Sequence, residues 1–221
     1  MNLIEAIEQR HSVRSYLLQP LDDETAEQLN EVIRECNEEG GLHIQLVRND
    51  PSAFSSGLAK YGQFSNVTDY IALIGKKSSD LEEKAGYYGE KIVLAAQRLG
   101  LNTCWVALTF RKNPDAYTVS AGEKLVMVIA VGHGAVQGVP HKSKEAEKLA
   151  ELKADDPEWY LRGIACALKA PTAMNQQKFR ISRKGNTVSI RSGLGIHTKT
   201  DTGIVRYHFE IGAGKENFEW E

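Results

Sequence analysis

The sequence predicts an α+β fold, and three observations point to it. Residues 21–41 and 80–100 place apolar side chains at helical spacing and end in glycine. Residues 70–77 and 123–134 are continuous apolar runs, which are typical of buried strands. A turn around Gly185 separates two short strand-like segments and predicts a late hairpin.

The first third of the chain is predicted to alternate helices with strands. Apolar residues at helical spacing predict a short first helix that ends near Arg10. Asp22 or Asp23 can cap the second helix, because a side-chain carboxylate accepts hydrogen bonds from the first free N–H groups. Residues 42–49 alternate like a half-buried strand, and residues 51–69 have the composition of a loop.

The remainder is predicted in the same way. The helix at 80–100 is the strongest in the chain, with Gly100 at its C-terminus, and residues 102–110 lead from it into a loop. The run at 123–134 is the most apolar strand, so we expect it at the centre of a sheet. A helix is expected from Pro157 to Ala170, and a helix-like segment at 200–220 ends the chain.

Composition bounds the class of protein. The 221 residues are 42% hydrophobic and 25% charged, which suits one large domain or two small intertwined ones. The net charge of −2 gives no global positive field for nucleic acid or an anionic membrane. Three distant cysteines without metal-ligand spacing, an acidic N-terminus unlike a signal peptide, and no apolar run of membrane-spanning length predict a cytoplasmic protein.

The stretch "RHSVRSY" at residues 10–16 is a candidate anion clamp. In an extended segment Arg10, Ser12 and Arg14 point the same way, with His11 between them. Guanidinium groups supply paired donors of the kind that phosphate prefers. The alternative is that Arg10 satisfies the end of a helix and the other side chains are solvated.

Two further loops carry candidate binding residues. "GVPHKSK" at 138–144 brings Lys142 and Lys144, which either add charge to the same anion or form a solvated helix entry. "APTAMNQQ" at 170–177, hereafter the amide-rich loop, has no charge, cysteine or histidine. Its small, hydroxyl and amide residues suit a flat heteroaromatic ring, whereas the alternative is a simple helix end and turn. No metal site, dinucleotide fingerprint or nucleophile elbow is present in the sequence.

An internal duplication is suggested by the order of elements. The succession after residue 157 echoes that after residue 22, and "GEKIVLAAQRLGLNTCW" overlays loosely on "GIVRYHFEIGAGKENFEW". We therefore predict a first repeat at 1–150 and a shorter second repeat at 151–221 that pack as a pseudo-dimer. The alternative is that any α+β chain shows such echoes.

The chain resembles the FMN-dependent nitroreductase family through "RHSVRSY", "APTAMNQQ", "AAQRLGLNTCWVA" and the segment from Val131 to Lys144. The amide-rich loop comes late in the chain, as in a branch called putative TM nitroreductases, whose members look like two fused repeats. Lys178 stands where the motif has proline. The resemblance implies a central, mostly antiparallel sheet flanked by helices and a duplication that mimics the family dimer.

The resemblance also implies one FMN per chain. Its phosphate would be held by the first segment with help from the basic loop, and its ring by the amide-rich loop. The predicted cofactor-binding residues are Arg10, His11, Ser12, Arg14, Lys142, Lys144, Pro171, Thr172, Ala173, Met174 and Asn175. No catalytic side chain and no metal ligand are predicted.

The function that the resemblance implies is an FMN-dependent oxidoreductase. NADH or NADPH would drive ping-pong reduction of a small molecule, namely a nitroaromatic, a quinone or a flavin. The chain would act as a monomeric pseudo-dimer or as a homodimer, without a nucleic-acid or membrane partner. The alternatives are a flavin-binding or sensing module without turnover and a structural α+β protein whose site has decayed.

Overall fold

The computed structural model describes residues 1–55, 57 and 61–221, and residues 56 and 58–60 of the predicted loop at 51–69 lie outside them. The chain divides into two compact units. The larger unit comprises Gln9–Leu81 and Lys91–Pro140, and the smaller unit comprises Met1–Glu8, Glu82–Glu90 and His141–Glu221. The repeats predicted at 1–150 and 151–221 describe a duplication in the sequence and are a different division from these units. The repeats and their boundary at residue 150 stay a prediction.

Helices and strands follow the predicted α+β order. The helices are α1 (Leu3–Gln9), α2 (Asp23–Gly40), α3 (Leu81–Arg98), α4 (Ala146–Leu149), α5 (Glu158–Ala167) and α6 (Thr198–Ala213). The strands are β1 (Gln45–Val47), β2 (Asp69–Lys76), β3 (Asn102–Val106), β4 (Glu123–Gly132), β5 (Phe179–Lys184), β6 (Thr187–Ser192) and β7 (Glu219–Trp220). Short 3-10 turns occur at Pro51–Phe54, Ala173–Asn175 and Lys215–Asn217. None of the helices in these described ranges is long and apolar enough to cross a membrane.

Helix α2 begins and ends where its sequence indicates. The Asp22 carboxylate accepts a hydrogen bond from the Thr25 N–H at 2.8 Å. Gly41 ends the helix with φ of 62°, a left-handed conformation that glycine adopts without steric cost. The predicted cap and stop are therefore confirmed.

The larger unit is built on an antiparallel sheet of four strands in the order β1-β2-β4-β3. Strand β4 lies between β2 and β3, as predicted from its apolar run, and Ile129 pairs with Ile71 of β2. Strand β3 forms the edge, where Cys104 pairs with Ala130. The sequence predicted only that residues 102–110 lead from a helix into a loop. Their first five residues are a strand because they pair with β4, and this pairing is not visible in the local sequence.

The smaller unit contains a second sheet in the order β5-β6-β7. Strands β5 and β6 form the predicted hairpin, with Gly185 in the turn at φ of 61°. The helix-like close predicted at 200–220 is correct as far as α6. The chain then turns at Gly214, which has φ of 77°, and β7 pairs parallel with β6.

Polar side chains join α6 to the part of α3 that belongs to the smaller unit. His208 and Glu90 are fully buried, with 2.8 Å between Nε2 and Oε1. The Tyr87 hydroxyl donates to Glu210 Oε2 at 2.5 Å, and Arg206 pairs with Glu83 at 3.0 Å. His208 Nδ1 lies 3.1 Å from the Cys166 carbonyl oxygen, and because a carbonyl can only accept, Nδ1 carries a proton.

The cysteines behave as buried apolar residues, as expected. Cys36, Cys104 and Cys166 are free and buried. Burial raises the pKa of each thiol, in Cys36 to about 12, so the thiols are protonated and weakly reactive at neutral pH. Among the described residues, no group of three or more His, Cys, Asp or Glu side chains is arranged to hold a metal ion.

Candidate functional site

The predicted anion clamp lies in the larger unit, beside the edge strand β3. The Val13 N–H donates to the Thr103 carbonyl at 3.0 Å, and Ser12 forms a parallel bridge with Thr103. The next residues are tied down as well, because the Tyr16 N–H donates to Ser65 and the Leu17 N–H to His133. The segment is therefore extended and held in place by backbone hydrogen bonds.

The side chains of this segment differ in exposure. Ser12 and Arg14 are exposed and His11 is half-buried, but Arg10 is only 4% exposed. Burial raises the pKa of the Cys104 thiol, while Arg14, Ser12 and Arg10 act in the opposite direction. Arg10, Ser12 and Arg14 therefore all lie close enough to the Cys104 thiol to influence its ionisation.

His11 is held in its neutral form at neutral pH. Partial burial lowers the pKa of its imidazole, and the neighbouring positive charge of Arg10 lowers it further. A neutral imidazole offers one hydrogen-bond donor and one acceptor. His11 can therefore donate to an anion without adding charge, and the positive charge of this segment comes from its arginines.

The beginning of the second basic loop contacts this segment within the larger unit. Gly138 has φ of 71°, and a Cβ at this position would lie 2.8 Å from the His11 Cβ and 3.1 Å from the Ser12 carbonyl oxygen. Only glycine allows this approach and this backbone conformation together. The chain at Gly138 is therefore packed directly on residues 11 and 12.

In the smaller unit, the rest of the second basic loop is joined to the amide-rich loop. The Lys142 carbonyl accepts hydrogen bonds from Asn175 Nδ2 at 3.0 Å and Gln177 Nε2 at 2.9 Å. Lys144 Nζ donates to the carbonyls of Gln176 at 2.6 Å and Gln177 at 3.2 Å. Two of the three Lys144 ammonium protons therefore bind protein carbonyls.

Gln177 organises the centre of the amide-rich loop, and the sequence analysis did not include it among the site residues. Its side chain is buried, its Oε1 accepts from the Lys144 N–H at 2.7 Å, and its Nε2 also donates to Asn175 Oδ1 at 2.8 Å. Its own N–H donates to Thr172 Oγ1 at 3.0 Å. The signal was present, because the family motif that the loop resembles has glutamine at this position.

The amide-rich loop holds three non-glycine residues in the left-handed region. Met174 and Asn175 have φ of 52° and Gln177 has φ of 46°. For Met174 and Gln177 this conformation costs about 1–2 kcal/mol each relative to ordinary backbone, whereas asparagine adopts it more readily, so the surrounding hydrogen bonds must stabilise the loop. Met174 projects from the loop and is 86% exposed.

Asp201 in the first turn of α6 is a second residue that the sequence analysis missed. Its carboxylate accepts from the Ala173 N–H at 2.9 Å and from Gln176 Nε2 at 2.9 Å. Asp201 is only 4% exposed, and this burial raises the pKa of its carboxyl above the ordinary value although both hydrogen bonds favour the ionised form. No local pattern links residue 201 to residue 173, so the contact could not be found from sequence.

The predicted residues thus fall into two groups. Arg10, His11, Ser12 and Arg14 lie together in the larger unit. The second group lies in the smaller unit. Of its members, Lys142, Lys144, Thr172 and Asn175 hydrogen-bond to the buried Gln177, and Pro171, Ala173 and Met174 belong to the same loop. The first group is cationic and offers exposed donors, whereas the amide-rich loop is uncharged and its side-chain amides are hydrogen-bonded to Lys142, Ile196, Asp201 and one another.

Comparison with known proteins identifies the family. The family model described as Putative TM nitroreductase matches residues 2–213. The chain belongs to this family. No curated protein sequence matches the chain.

Solved nitroreductase structures share the fold. A crystal structure described as a putative nitroreductase from Thermotoga maritima has a TM-score of 0.70 at 22% identity, with 98% of this chain and 85% of that chain covered. A putative nitroreductase in complex with FMN from Desulfovibrio desulfuricans has a TM-score of 0.52 at 19% identity, covering 71% and 99%. The nitroreductase-like α+β fold is therefore confirmed.

The two groups of residues differ in the kind of ligand that their chemistry suits. Ser12 and Arg14 present exposed donors at an ordered backbone, which suits a phosphate. The amide-rich loop adds no charge and has an exposed apolar side chain in Met174, which suits a flat aromatic ring. Its side-chain amides already bind other groups of the protein, whereas Met174 is 86% exposed.

Proposed function

We propose that the protein is an FMN-dependent oxidoreductase that uses NADH or NADPH to reduce a nitroaromatic, a quinone or a flavin. The observation that carries the proposal is the family match over residues 2–213. The FMN complex of the Desulfovibrio desulfuricans protein, which shares the fold, supports the choice of cofactor.

The first group of residues would hold the phosphate of FMN. Arg14 and Ser12 are exposed and can donate to its oxygens, neutral His11 adds a donor, and buried Arg10 adds positive charge. We assign the ring to Pro171–Asn175. Of the two lysines predicted to assist the phosphate, Lys142 keeps that assignment, whereas the Lys144 ammonium donates to carbonyls of the amide-rich loop and supports the loop. The proposed stoichiometry is one FMN per chain, in a monomeric pseudo-dimer or in a homodimer.

The reaction needs little acid–base chemistry from the protein. Bound FMN supplies hydride transfer between the nicotinamide and the acceptor. The chain's own residues bind the cofactor, orient it and leave one face open to both small molecules in turn, as ping-pong kinetics require. This division of work explains why the amide-rich loop contains no acid, base or nucleophile.

The proposal is tested on the purified protein with and without added FMN. We expect a flavin absorbance band at about 450 nm that bleaches rapidly on anaerobic mixing with NADH or NADPH, and that returns when a quinone or nitroaromatic is added. A protein that binds FMN but leaves the band unchanged would be a flavin-binding module without turnover. A protein that takes up no FMN would overturn the cofactor assignment.

A further inference from the structure

We propose that Asp201 and Lys144 are positioning residues that hold the amide-rich loop from two sides and so fix the surface that it offers to the flavin ring. In this subsection, "the clamp" means this pair of residues and not the anion clamp at residues 10–16. The flavin part of this inference rests on the proposed function. The clamp itself is a property of the protein without cofactor, so the two can be tested separately.

One end of the clamp binds the start of the turn. The Ala173 N–H donates to Asp201 Oδ1 at 2.9 Å, and Gln176 Nε2 donates to Oδ2 at 2.9 Å. The second proton of the same amide nitrogen is donated to the Ile196 carbonyl at 2.6 Å. Both protons of the Gln176 side-chain amide are therefore used. Turning this amide so that it accepts from an asparagine at position 201 would break both hydrogen bonds.

The other end binds the carbonyls that close the turn. Lys144 Nζ donates to the Gln176 carbonyl at 2.6 Å and the Gln177 carbonyl at 3.2 Å. The anion thus faces an N–H group and the cation faces carbonyl oxygens, which makes both contacts charge-assisted. Between them lie Met174 and Asn175, with φ of 52° at both residues.

The two lysines of the basic loop therefore act differently. Lys144 reaches the loop through its side chain, whereas Lys142 contributes its backbone carbonyl to Asn175 and Gln177. Replacing Lys142 by glutamine keeps that carbonyl. Lys142→Gln is thus a matched control for Lys144→Gln, with the same loss of charge two residues away.

The first experiment measures amide hydrogen exchange of residues 170–177 in the protein without FMN. We expect Lys144→Gln and Asp201→Asn to accelerate exchange in this segment by about tenfold or more, as for loss of a hydrogen bond to a charged group, and Lys142→Gln to leave it unchanged. Asp156→Asn controls for a general loss of stability, because this buried carboxylate binds Arg183 at 2.7 Å instead of the loop. Equal exchange in the wild type and Lys144→Gln, or equal acceleration in both lysine variants, would overturn the clamp.

The second experiment compares the affinities for FMN and riboflavin, which differ only in the phosphate. A loop clamp acts on the ring, so Lys144→Gln should weaken binding of both flavins by the same factor. A loss confined to FMN would make Lys144 a phosphate ligand and overturn its positioning role. If the wild type binds neither flavin, the proposed function fails, while the exchange experiment still decides the clamp.

Discussion

At the scale of single residues, Arg10 and Arg14 occupy different environments although both belong to the predicted anion clamp. Arg10 is 4% exposed, whereas Arg14 is exposed and its guanidinium lies 6.0 Å from the centre of the Phe64 ring. An exposed arginine can bind a ligand at little cost to the fold. A buried one is part of the packed structure as well.

We expect Arg14→Ala to weaken FMN binding by about 1.5–3 kcal/mol, which is the usual worth of a hydrogen bond to a charged group. The free energy of unfolding should change by less than about 0.5 kcal/mol. Arg10→Ala should lower both quantities, because its removal leaves a cavity in buried surroundings. Isothermal titration with FMN and urea unfolding measure the two effects.

Arg34→Ala provides the matched control for these variants. Arg34 is an exposed arginine of α2 that pairs with Glu27 at 3.0 Å. Its removal takes away the same charge, but Arg34 lies outside the anion clamp at residues 10–16. The variant should therefore leave FMN affinity unchanged. An equal loss of affinity in Arg34→Ala and Arg14→Ala would mean that only net charge matters, and the phosphate assignment would be wrong.

The residues that sequence analysis missed share a physical reason. Gln177 joins the amide-rich loop to Lys142, and Asp201 joins it to α6, through hydrogen bonds between residues 35 and 28 positions apart. Composition reveals that a loop is polar and uncharged, but it does not reveal which amides hydrogen-bond each other and which face outward. The candidate loops could be predicted from sequence, but not the network that shapes them.

At the scale of elements, glycines allow α3 and α6 to pack closely against each other. A Cβ on Gly86 would lie 2.1 Å from the Thr200 carbonyl oxygen, and a Cβ on Gly203 would lie 2.0 Å from the Glu83 carbonyl oxygen. Real side chains do not tolerate such distances to backbone, so each helix needs glycine where it meets the other. Glycine is a poor helix former, and this close contact explains its presence at positions 86 and 203 inside long helices.

Gly86→Ala should therefore destabilise the protein, although alanine is intrinsically better in a helix by about 1 kcal/mol. The steric overlap forces the helices apart, and we expect a net loss of about 1–3 kcal/mol in the free energy of unfolding, measured by urea denaturation. Lys84→Ala, at an exposed position of the same helix, should change it by less than about 0.5 kcal/mol. A stabilised Gly86→Ala variant would contradict the close contact.

Elements with a strong local signal were predicted, and elements that depend on distant pairing were not. Helix α2 carries its own cap at Asp22 and its own stop at Gly41, and β4 is apolar enough to be central. Strands β3 and β7 are short and are defined by hydrogen bonds to β4 and β6. Their sequences favour a strand only once the partner strand is in place.

At the scale of the whole molecule, the family match over residues 2–213 spans both compact units. The arginine segment at residues 10–14 belongs to the larger unit, and the amide-rich loop belongs to the smaller. Only the family resemblance, and not the chemistry of either segment, assigns both to one cofactor, and one FMN per chain is the measurable consequence of that assignment.

Ligand binding should then stabilise the folded chain by mass action. With free FMN at 100 times its dissociation constant, we expect about 2.7 kcal/mol of added stability, which corresponds to a rise of about 5–10 °C in the thermal midpoint for a chain of this size. At the same concentration riboflavin should give a smaller rise, because it lacks the phosphate that Arg14 and Ser12 would bind. Equal shifts with both flavins would contradict the phosphate assignment.

Titration monitored by flavin fluorescence should saturate at one FMN per chain, because each chain carries its own anion clamp and its own amide-rich loop. Saturation at one FMN per two chains would contradict this stoichiometry.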